Sequence, residues 1–224
     1  NYMQFGEESS STPEPQFIEY DNLKLRLAPE HSLWSHVLWN SSKYLYQLIK
    51  SGEINILNKS IYELGCGCAI PSIISAKSGA KLVVPSEYPD KELIDNVSFN
   101  LNQNLTTQQL QNVSFLPHVW GKDMPQQQFD LIFQCDLVFN HSEHLNLINE
   151  IQTCLKSDGQ CHVIFSHHRP QFQEQDMQFF KLCKKQNLKV TKKNEIIMER
   201  MFYDDDKYYE KEIREIVFWY VVEK

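Results

Sequence analysis

A glycine turn and a downstream carboxylate are the residues whose types and spacing best fit ligand chemistry. Gly65-Cys66-Gly67 follows the apolar run 61–64 and precedes small and apolar residues, which predicts a strand, a tight turn and a helix start. Glycines let the backbone turn sharply and bring the amides of a helix N-terminus close to a ligand. Glu87 ends the next apolar run, about 20 residues further on, where a carboxylate can accept hydrogen bonds from both ribose hydroxyls. Together these residues predict a site for an adenosine-type cofactor.

Two other interpretations of this turn bear on the prediction. Ile70 occupies the position of the third glycine in the dinucleotide fingerprint, so a dinucleotide site is disfavoured. The simpler alternative is an ordinary α/β turn that is followed by an unrelated glutamate.

A second group of candidates follows the clearest predicted strand, 129–135. Asp136, Asn140 and His141 come directly after it, and His167-His168 follows the next predicted strand. Ligands of doubly wound parallel sheets bind outside the carboxyl ends of the strands, so these polar residues are expected to face the crevice beside the glycine turn. The histidine pair has no acidic or cysteine ligand spaced with it, which favours a hydrogen-bonded loop over a metal site.

Two tryptophans are also candidates for the cofactor site. Trp39 lies in the pattern of an amphipathic helix from roughly Trp34 to Lys50, and it either lines the cofactor site or belongs to the core stripe. Trp120 precedes Gly121 at the end of a predicted strand, 112–120, where an indole can stack on adenine. The alternative for Trp120 is that it covers the edge of the core.

The elements that must position these residues alternate between strands and helices. Further strands are predicted at 23–27, 81–87, 161–166, from 188 onward and at 215–222, and helices at 70–77, 90–102, 142–156 and 176–186. This order predicts an α/β fold with a doubly wound, mostly parallel sheet and an antiparallel edge. We expect a flexible N-terminal arm over 1–20 and one domain over 21–224, with the acidic run 204–206 as a solvated loop or a contact for a basic partner.

Composition limits the class of protein. The net charge of −7 disfavours nucleic acid as a partner, and the chain has no apolar stretch of membrane-spanning length. Its 6 cysteines form no C-x-x-C pair, which argues against a zinc site or a disulfide framework. We therefore expect a soluble, cytoplasmic protein with no metal, and the oligomeric state is left open.

Several motifs, together with the order of the elements, carry a family resemblance. They are Leu33-Trp34-Ser35-His36, Leu38-Trp39-Asn40, Glu63-Leu64-Gly65-Cys66-Gly67, Glu87-Tyr88-Pro89-Asp90, Trp120-Gly121, the stretch from Cys135 to His144 and the stretch from Phe165 to Pro170. The chain resembles the seven-β-strand S-adenosylmethionine-dependent methyltransferases. More narrowly, it resembles the protein N-terminal and lysine methyltransferases of translation elongation factor 1-alpha, a family also described as nicotinamide N-methyltransferase-like. It departs from that family at Cys66 and Cys68, where alanine or a similar small residue is usual, and at Glu87, where aspartate is usual.

The resemblance implies a Rossmann-like, seven-stranded fold, S-adenosyl-L-methionine as cofactor and a set of site residues. The implied cofactor contacts are Trp39, Gly65, Cys66, Gly67, Glu87, Trp120 and Cys135. Asp136-x-x-Phe139 resembles the acidic-x-x-aromatic motif of the lysine-directed branch, and Asn140 and His141 complete the expected catalytic group. A sulfonium gives up its methyl group without activation, so such residues need mainly to align a neutral amine and exclude water. Phe139 can hold the amine and Asp136 can orient it.

Three functions are consistent with these residues. The leading one is a methyltransferase that acts on lysine or an N-terminal amine of a protein substrate, with translation elongation factor 1-alpha suspected. The second is a catalytically weak or inactive subunit of a larger assembly, in which the cofactor site would have decayed. The third is a small-molecule N-methyltransferase, which would need a closed, apolar substrate pocket.

Overall fold

The computed structural model of the chain describes residues 15–29, 36–201 and 211–224. Trp34 and the acidic run 204–206 lie outside these ranges, so the predictions for them stay predictions. The first 14 residues of the expected arm also lie outside them. Within the remainder of that arm, β1 (Phe17–Tyr20) pairs with β2 (Leu23–Arg26) as an antiparallel two-stranded sheet. The division of the chain at residue 20 therefore stays a prediction.

A seven-stranded sheet forms the centre of the fold. Its strands are β3 (Ser60–Leu64), β4 (Leu82–Glu87), β5 (Leu116–Pro117), β6 (Phe129–Cys135), β7 (Leu155–Ser166), β8 (Lys189–Ile197) and β9 (Ile216–Glu223). They lie in the order β5-β4-β3-β6-β7-β9-β8. Neighbouring strands run parallel across β5, β4, β3, β6 and β7. At the other edge, β9 pairs antiparallel with both β7 and β8. The predicted mostly parallel sheet with an antiparallel edge is confirmed.

Helices cover both faces of this sheet. They are α1 (Asn40–Lys50), α2 (Ile70–Lys77), α3 (Lys91–Asn104), α4 (Thr107–Leu110), α5 (His144–Cys154), α6 (Gln173–Asp176) and α7 (Gln178–Lys185). One core cluster takes Leu45, Ile73 and Val97 from α1, α2 and α3, and the other takes Leu147 and Phe179 from α5 and α7. Each apolar helical stripe is thus buried against one face of the sheet, as a doubly wound fold requires.

The predicted start of the first helix is wrong. Residues 36–39 form a turn and coil, and α1 begins at Asn40 because Trp39 has an extended backbone (φ −66°, ψ 141°). The buried Asn40 is the first residue of α1, and its Nδ2 donates to the Glu199 carbonyl at 2.6 Å. The apolar residues before it line a cavity instead of extending the helical stripe.

Two predicted strand boundaries also differ from the structure. The strand predicted at 112–120 is reduced to Leu116–Pro117, with an isolated bridge at Val113, because proline lacks an amide proton and is confined to sheet edges. The strand predicted at 161–166 begins earlier, at Leu155, so that β7 includes Gly159. A Cβ at Gly159 would lie 2.9 Å from the Asp130 carbonyl, so this glycine permits the close approach of two strands.

The order of the strands fixes where a ligand can bind. From β3 the chain continues outward to β4 and β5, and it then returns to β6 on the other side of β3. This reversal leaves a crevice at the carboxyl ends of β3 and β6, where the connecting loops diverge. Among the described residues, no helix is long and apolar enough to cross a membrane.

Candidate active site

A cavity of about 370 Å³ lies at this reversal, within the usual size range of small-molecule sites. All of the predicted cofactor contacts line it: Trp39, Gly65, Cys66, Gly67, Glu87, Trp120 and Cys135. Of the expected catalytic group, Asp136, Phe139 and Asn140 line the same cavity. The turn that follows β3 and the loop that follows β6 thus face each other across a single space.

The glycine turn depends on left-handed backbone conformations. Gly65 and Gly67 have φ of 57° and 53°, and Ala69, which caps α2, has φ of 59°. A Cβ on Gly65 would lie 2.9 Å from the Leu137 side chain and 3.2 Å from Trp120. A side chain is therefore excluded at Gly65 by both its conformation and its neighbours.

Glu87 faces the turn from the end of β4. Its side chain is buried, and Oε2 accepts a hydrogen bond from the Gly67 amide at 2.7 Å. Oε1 accepts from the Tyr88 amide at 2.9 Å. Since each carboxylate oxygen has two lone pairs, both retain capacity for the hydroxyls of a ribose. The structure thus brings together the two features that predicted the cofactor site.

A second carboxyl group lies beneath the turn. Glu63, at the end of β3, is fully buried and accepts hydrogen bonds from the Ser72 amide at 3.0 Å and from the Ser72 hydroxyl. Burial raises the pKa of Glu63 to about 8, so the group is largely protonated at neutral pH. It supports the first turn of α2 without placing a full negative charge beneath the cavity.

The Trp120 loop is fixed by a residue that sequence analysis missed. Glu150 of α5 is fully buried, and its Oε1 accepts from the Gly121 amide at 2.8 Å and lies 2.7 Å from His118 Nε2. A signal for it exists in the sequence. Glu150 lies on the helical face that carries Leu147 and Ile151, and a carboxylate in an apolar stripe needs buried partners.

Asp136 is the central residue of the opposite wall. It follows β6 in a left-handed conformation (φ 50°), and it is 3% exposed. Its Oδ1 accepts hydrogen bonds from the Ser166 amide at 2.9 Å and from His168 Nε2 at 3.0 Å. Oδ2 is buried and has no hydrogen-bond partner among the described residues. A buried carboxylate oxygen of this kind beside a cavity is an acceptor for a ligand donor.

The ring of His168, which bonds to Asp136, belongs to a group of aromatic side chains. The ring of Trp39 lies 6.3 Å from that of Phe139 and 4.7 Å from that of His168, measured between centroids. Phe139 and Trp39 both line the cavity. An aromatic wall beside a carboxylate is an arrangement that binds amines and ammonium groups.

His141 is placed differently from the prediction, since it does not line the cavity. Its Nε2 lies 2.7 Å from Oδ1 of Asp176, a buried residue of α6 whose Oδ2 lies 2.6 Å from His167 Nδ1. Asp176 therefore joins the loop after β6 to the loop after β7. We call His141, Asp176 and His167 the histidine clamp. His167 and His168 bond to different carboxylates, in agreement with a hydrogen-bonded loop.

The cysteines that line the cavity are poor nucleophiles. Burial raises the pKa of the Cys66 and Cys135 thiols well above the ordinary value, and the carboxyl groups of Glu87 and Glu63 respectively are the next largest causes. Both groups therefore remain thiols at neutral pH. This protonation state favours a role for Cys66 and Cys135 in shaping the cavity over a role in covalent chemistry.

Comparison with known proteins identifies the family. The lysine methyltransferase family matches residues 21–186. The chain belongs to this family. The relatives include a protein N-terminal and lysine N-methyltransferase EFM7 of Candida glabrata, 33% identical over 95% of this chain and 86% of that protein. The Schizosaccharomyces pombe protein of the same description is 34% identical over 87% of this chain and 84% of its own length.

Solved structures with low sequence identity share the fold of this methyltransferase. Pyrococcus horikoshii TYW2 in complex with MeSAdo has a TM-score of 0.64 at 16% identity, and covers 94% of this chain and 72% of that one. The ribosomal protein L11 methylase of Lactobacillus delbrueckii has a TM-score of 0.56 at 16% identity, over 82% and 79% of the two chains. These similarities confirm the Rossmann-like methyltransferase fold.

S-adenosyl-L-methionine is the cofactor of this methyltransferase, and the residues that line the cavity fit it. Gly67 leaves the backbone uncovered in the turn before α2, and the Glu87 carboxylate suits a ribose diol. Trp120 lines the cavity next to Gly65, and Trp39 lines it next to Phe139. When bound, the cofactor supplies a methyl group on a positively charged sulfur.

Proposed function

We propose that this methyltransferase transfers methyl groups to a lysine or N-terminal amine of a protein, and that translation elongation factor 1-alpha is the substrate to test. The observation that carries the proposal is Asp136, which lines the same cavity as the glycine turn and whose buried Oδ2 lacks a partner among the described residues. The names of the relatives support a protein substrate. The identity of that protein rests on the family resemblance.

The side chains of the site perform three tasks in this proposal. Asp136 binds the ammonium form of the amine and then orients the neutral amine once its proton has left to solvent. Phe139 and Trp39 hold the alkyl chain and the amine against their ring faces. Closure of the cavity around the amine excludes water, so alignment of the amine with the methyl group accounts for most of the rate enhancement.

The site does not have the features of a decayed one. Glu87 is 7% exposed and bonded to the Gly67 amide, so it is turned toward the cavity and away from solvent. The cavity is open at the carboxyl ends of the strands and is lined by side chains that leave space within it. These observations support turnover over a purely structural role. We also propose a cytoplasmic location, which unpaired cysteines and a translation-factor substrate both favour.

A labelling experiment tests this function. Purified elongation factor 1-alpha and tritiated S-adenosylmethionine are incubated with the wild type, with Asp136→Asn and with Asp158→Asn, a matched change at an exposed position of β7. We expect labelling by the wild type and by Asp158→Asn, and a loss of about 100-fold or more with Asp136→Asn because the amine loses its charged acceptor. Calorimetry should give an unchanged Kd for S-adenosylhomocysteine. Full activity of Asp136→Asn, or no labelling by the wild type, would contradict the proposal.

A further inference from the structure

The two oxygens of Asp136 have different surroundings. Oδ1 accepts two hydrogen bonds, whereas Oδ2 has no partner among the described residues. The Ser166 amide that binds Oδ1 belongs to β7 and is fixed by the sheet. The other donor, His168, is a side chain with rotatable bonds, so the orientation of the carboxylate depends on how that imidazole is held.

His168 is held by contacts on its backbone and its ring. Its amide donates to the Ser166 carbonyl at 3.0 Å, and its own carbonyl accepts from Nε of the buried Arg214 at 3.1 Å. The ring lies against Trp39 with centroids 4.7 Å apart and an interplanar angle of 54°. The side chain is 11% exposed and does not line the cavity, and its contacts with Asp136 and Trp39 connect it to residues that do.

The hydrogen bond defines the protonated nitrogen of this imidazole. An ionised carboxylate can only accept, so Nε2 of His168 must carry the proton that lies between it and Oδ1. With Oδ1 engaged by two donors, the acceptor capacity left on the carboxylate is concentrated on Oδ2. Rotation of the carboxylate away from this orientation would break both bonds, whereas a half-turn would only exchange two equivalent oxygens.

We propose that His168 is a positioning residue for methyl transfer, which directs Oδ2 of Asp136 toward the incoming amine by holding Oδ1. This inference rests on the proposed function and deepens it. His168 contacts neither the cofactor nor the amine, and the donor at Nε2 is the part of the side chain that matters. The contact of its ring with Trp39 is secondary to that donor.

Two variants separate the donor from the ring. His168→Gln retains an amide donor near the position of Nε2 and loses the ring, whereas His168→Phe retains a ring against Trp39 and loses the donor. With elongation factor 1-alpha as substrate, we expect His168→Phe to lower kcat by about 10- to 100-fold through misalignment of the acceptor. His168→Gln should stay within about threefold of the wild type. Both should bind S-adenosylhomocysteine with a Kd within about twofold of the wild type, since the donor acts on the acceptor wall.

Other outcomes overturn the inference. Equal kcat for the two variants, or a greater loss in His168→Gln than in His168→Phe, would assign the effect to the ring or to general stability. A loss of cofactor affinity in His168→Phe as large as its loss of kcat would also assign the effect to the ring or to general stability.

A second measurement does not depend on the substrate. Proton NMR of the wild type should show a slowly exchanging imidazole N–H signal that Asp136→Ala removes, and its absence overturns the inference. If the wild type shows this signal and binds S-adenosylhomocysteine but does not label elongation factor 1-alpha, the proposed substrate fails while the positioning role of His168 stands.

Discussion

The two walls of the cavity are built in different ways. The cofactor wall, formed by Gly65, Gly67 and Glu87, comes from two consecutive strand–turn segments and is held by a hydrogen bond from a backbone amide. The acceptor wall, formed by Asp136 and Phe139, comes from the loop after β6 and is contacted from behind by the loop after β7. It is held by one backbone amide, that of Ser166, and mainly by bonds between side chains, which include those of the histidine clamp.

This difference predicts that binding and transfer can be separated by mutation. A change in the cofactor wall removes a backbone turn or its carboxylate, so the affinity for the cofactor falls directly. A change in the acceptor wall leaves that turn intact and shifts the orientation of one carboxylate, which affects the alignment of the amine more than the affinity for the cofactor.

The largest effect is expected from Glu87→Ala. The carboxylate holds the Gly67 amide and is placed to accept from ribose hydroxyls, and hydrogen bonds to a charged group contribute about 1.5 to 3 kcal/mol each. The Kd for S-adenosylhomocysteine measured by calorimetry should therefore rise by about 100-fold. Glu92→Ala, at an exposed position in the first turn of α3, is the matched control and should bind as the wild type does. An unchanged Kd in Glu87→Ala would show that Glu87 does not contribute to cofactor binding.

An intermediate effect is expected from Asp176→Ala. This change releases both histidines of the clamp and loosens the loop that carries Phe139, while every contact of the cofactor wall is kept. We expect kcat to fall by about 10-fold, with the Kd for S-adenosylhomocysteine within about twofold of the wild type.

Steady-state kinetics and calorimetry on the same preparation test this separation, with Asp158→Ala on the exposed part of β7 as the control. If Asp176→Ala weakened cofactor binding as much as it slowed transfer, the two walls would be one coupled unit.

The smallest functional effect is expected from Glu63→Gln, which acts on stability. The pKa of Glu63 is about 8 in the folded chain and 4.5 when unperturbed, so between these values the folded state retains a proton that the unfolded state has lost. The stabilisation from this proton is complete below about pH 4.5 and is lost as pH rises toward 8.

Glutamine stays neutral throughout, so the free energy of unfolding of Glu63→Gln relative to the wild type should rise by about 3 kcal/mol between pH 5 and 8. Urea unfolding at several pH values measures this difference, and Glu92→Gln is the exposed control. A difference that stays constant with pH would mean that Glu63 is ionised in the folded chain. Binding of S-adenosylhomocysteine should change by less than about twofold, because Glu63 is not among the residues that line the cavity.

The elements whose structure depends on neighbouring residues could be predicted from the sequence. The turn of Gly65-Cys66-Gly67, the strand that ends at Glu87 and the apolar stripes of α2 and α3 are each specified by neighbouring residues, and all of them were predicted within a few residues. The errors concern positions at which distant contacts decide. At the start of α1, Asn40 bonds to the distant Glu199 carbonyl, and near Gly159 the chain comes close to β6.

The sequence by itself determined the layered fold and the glycine turn, and it supplied Asp136 as the candidate acceptor carboxylate, because periodicity, glycine turns and short motifs act over a few residues. Only the tertiary structure decided that His141 bonds to Asp176, that His168 holds Asp136 and that Glu150 fixes the Trp120 loop. Each of these contacts joins residues from separate elements. Their partners are chosen by burial, since a buried polar group must find its hydrogen bond wherever the fold brings a complementary atom within reach.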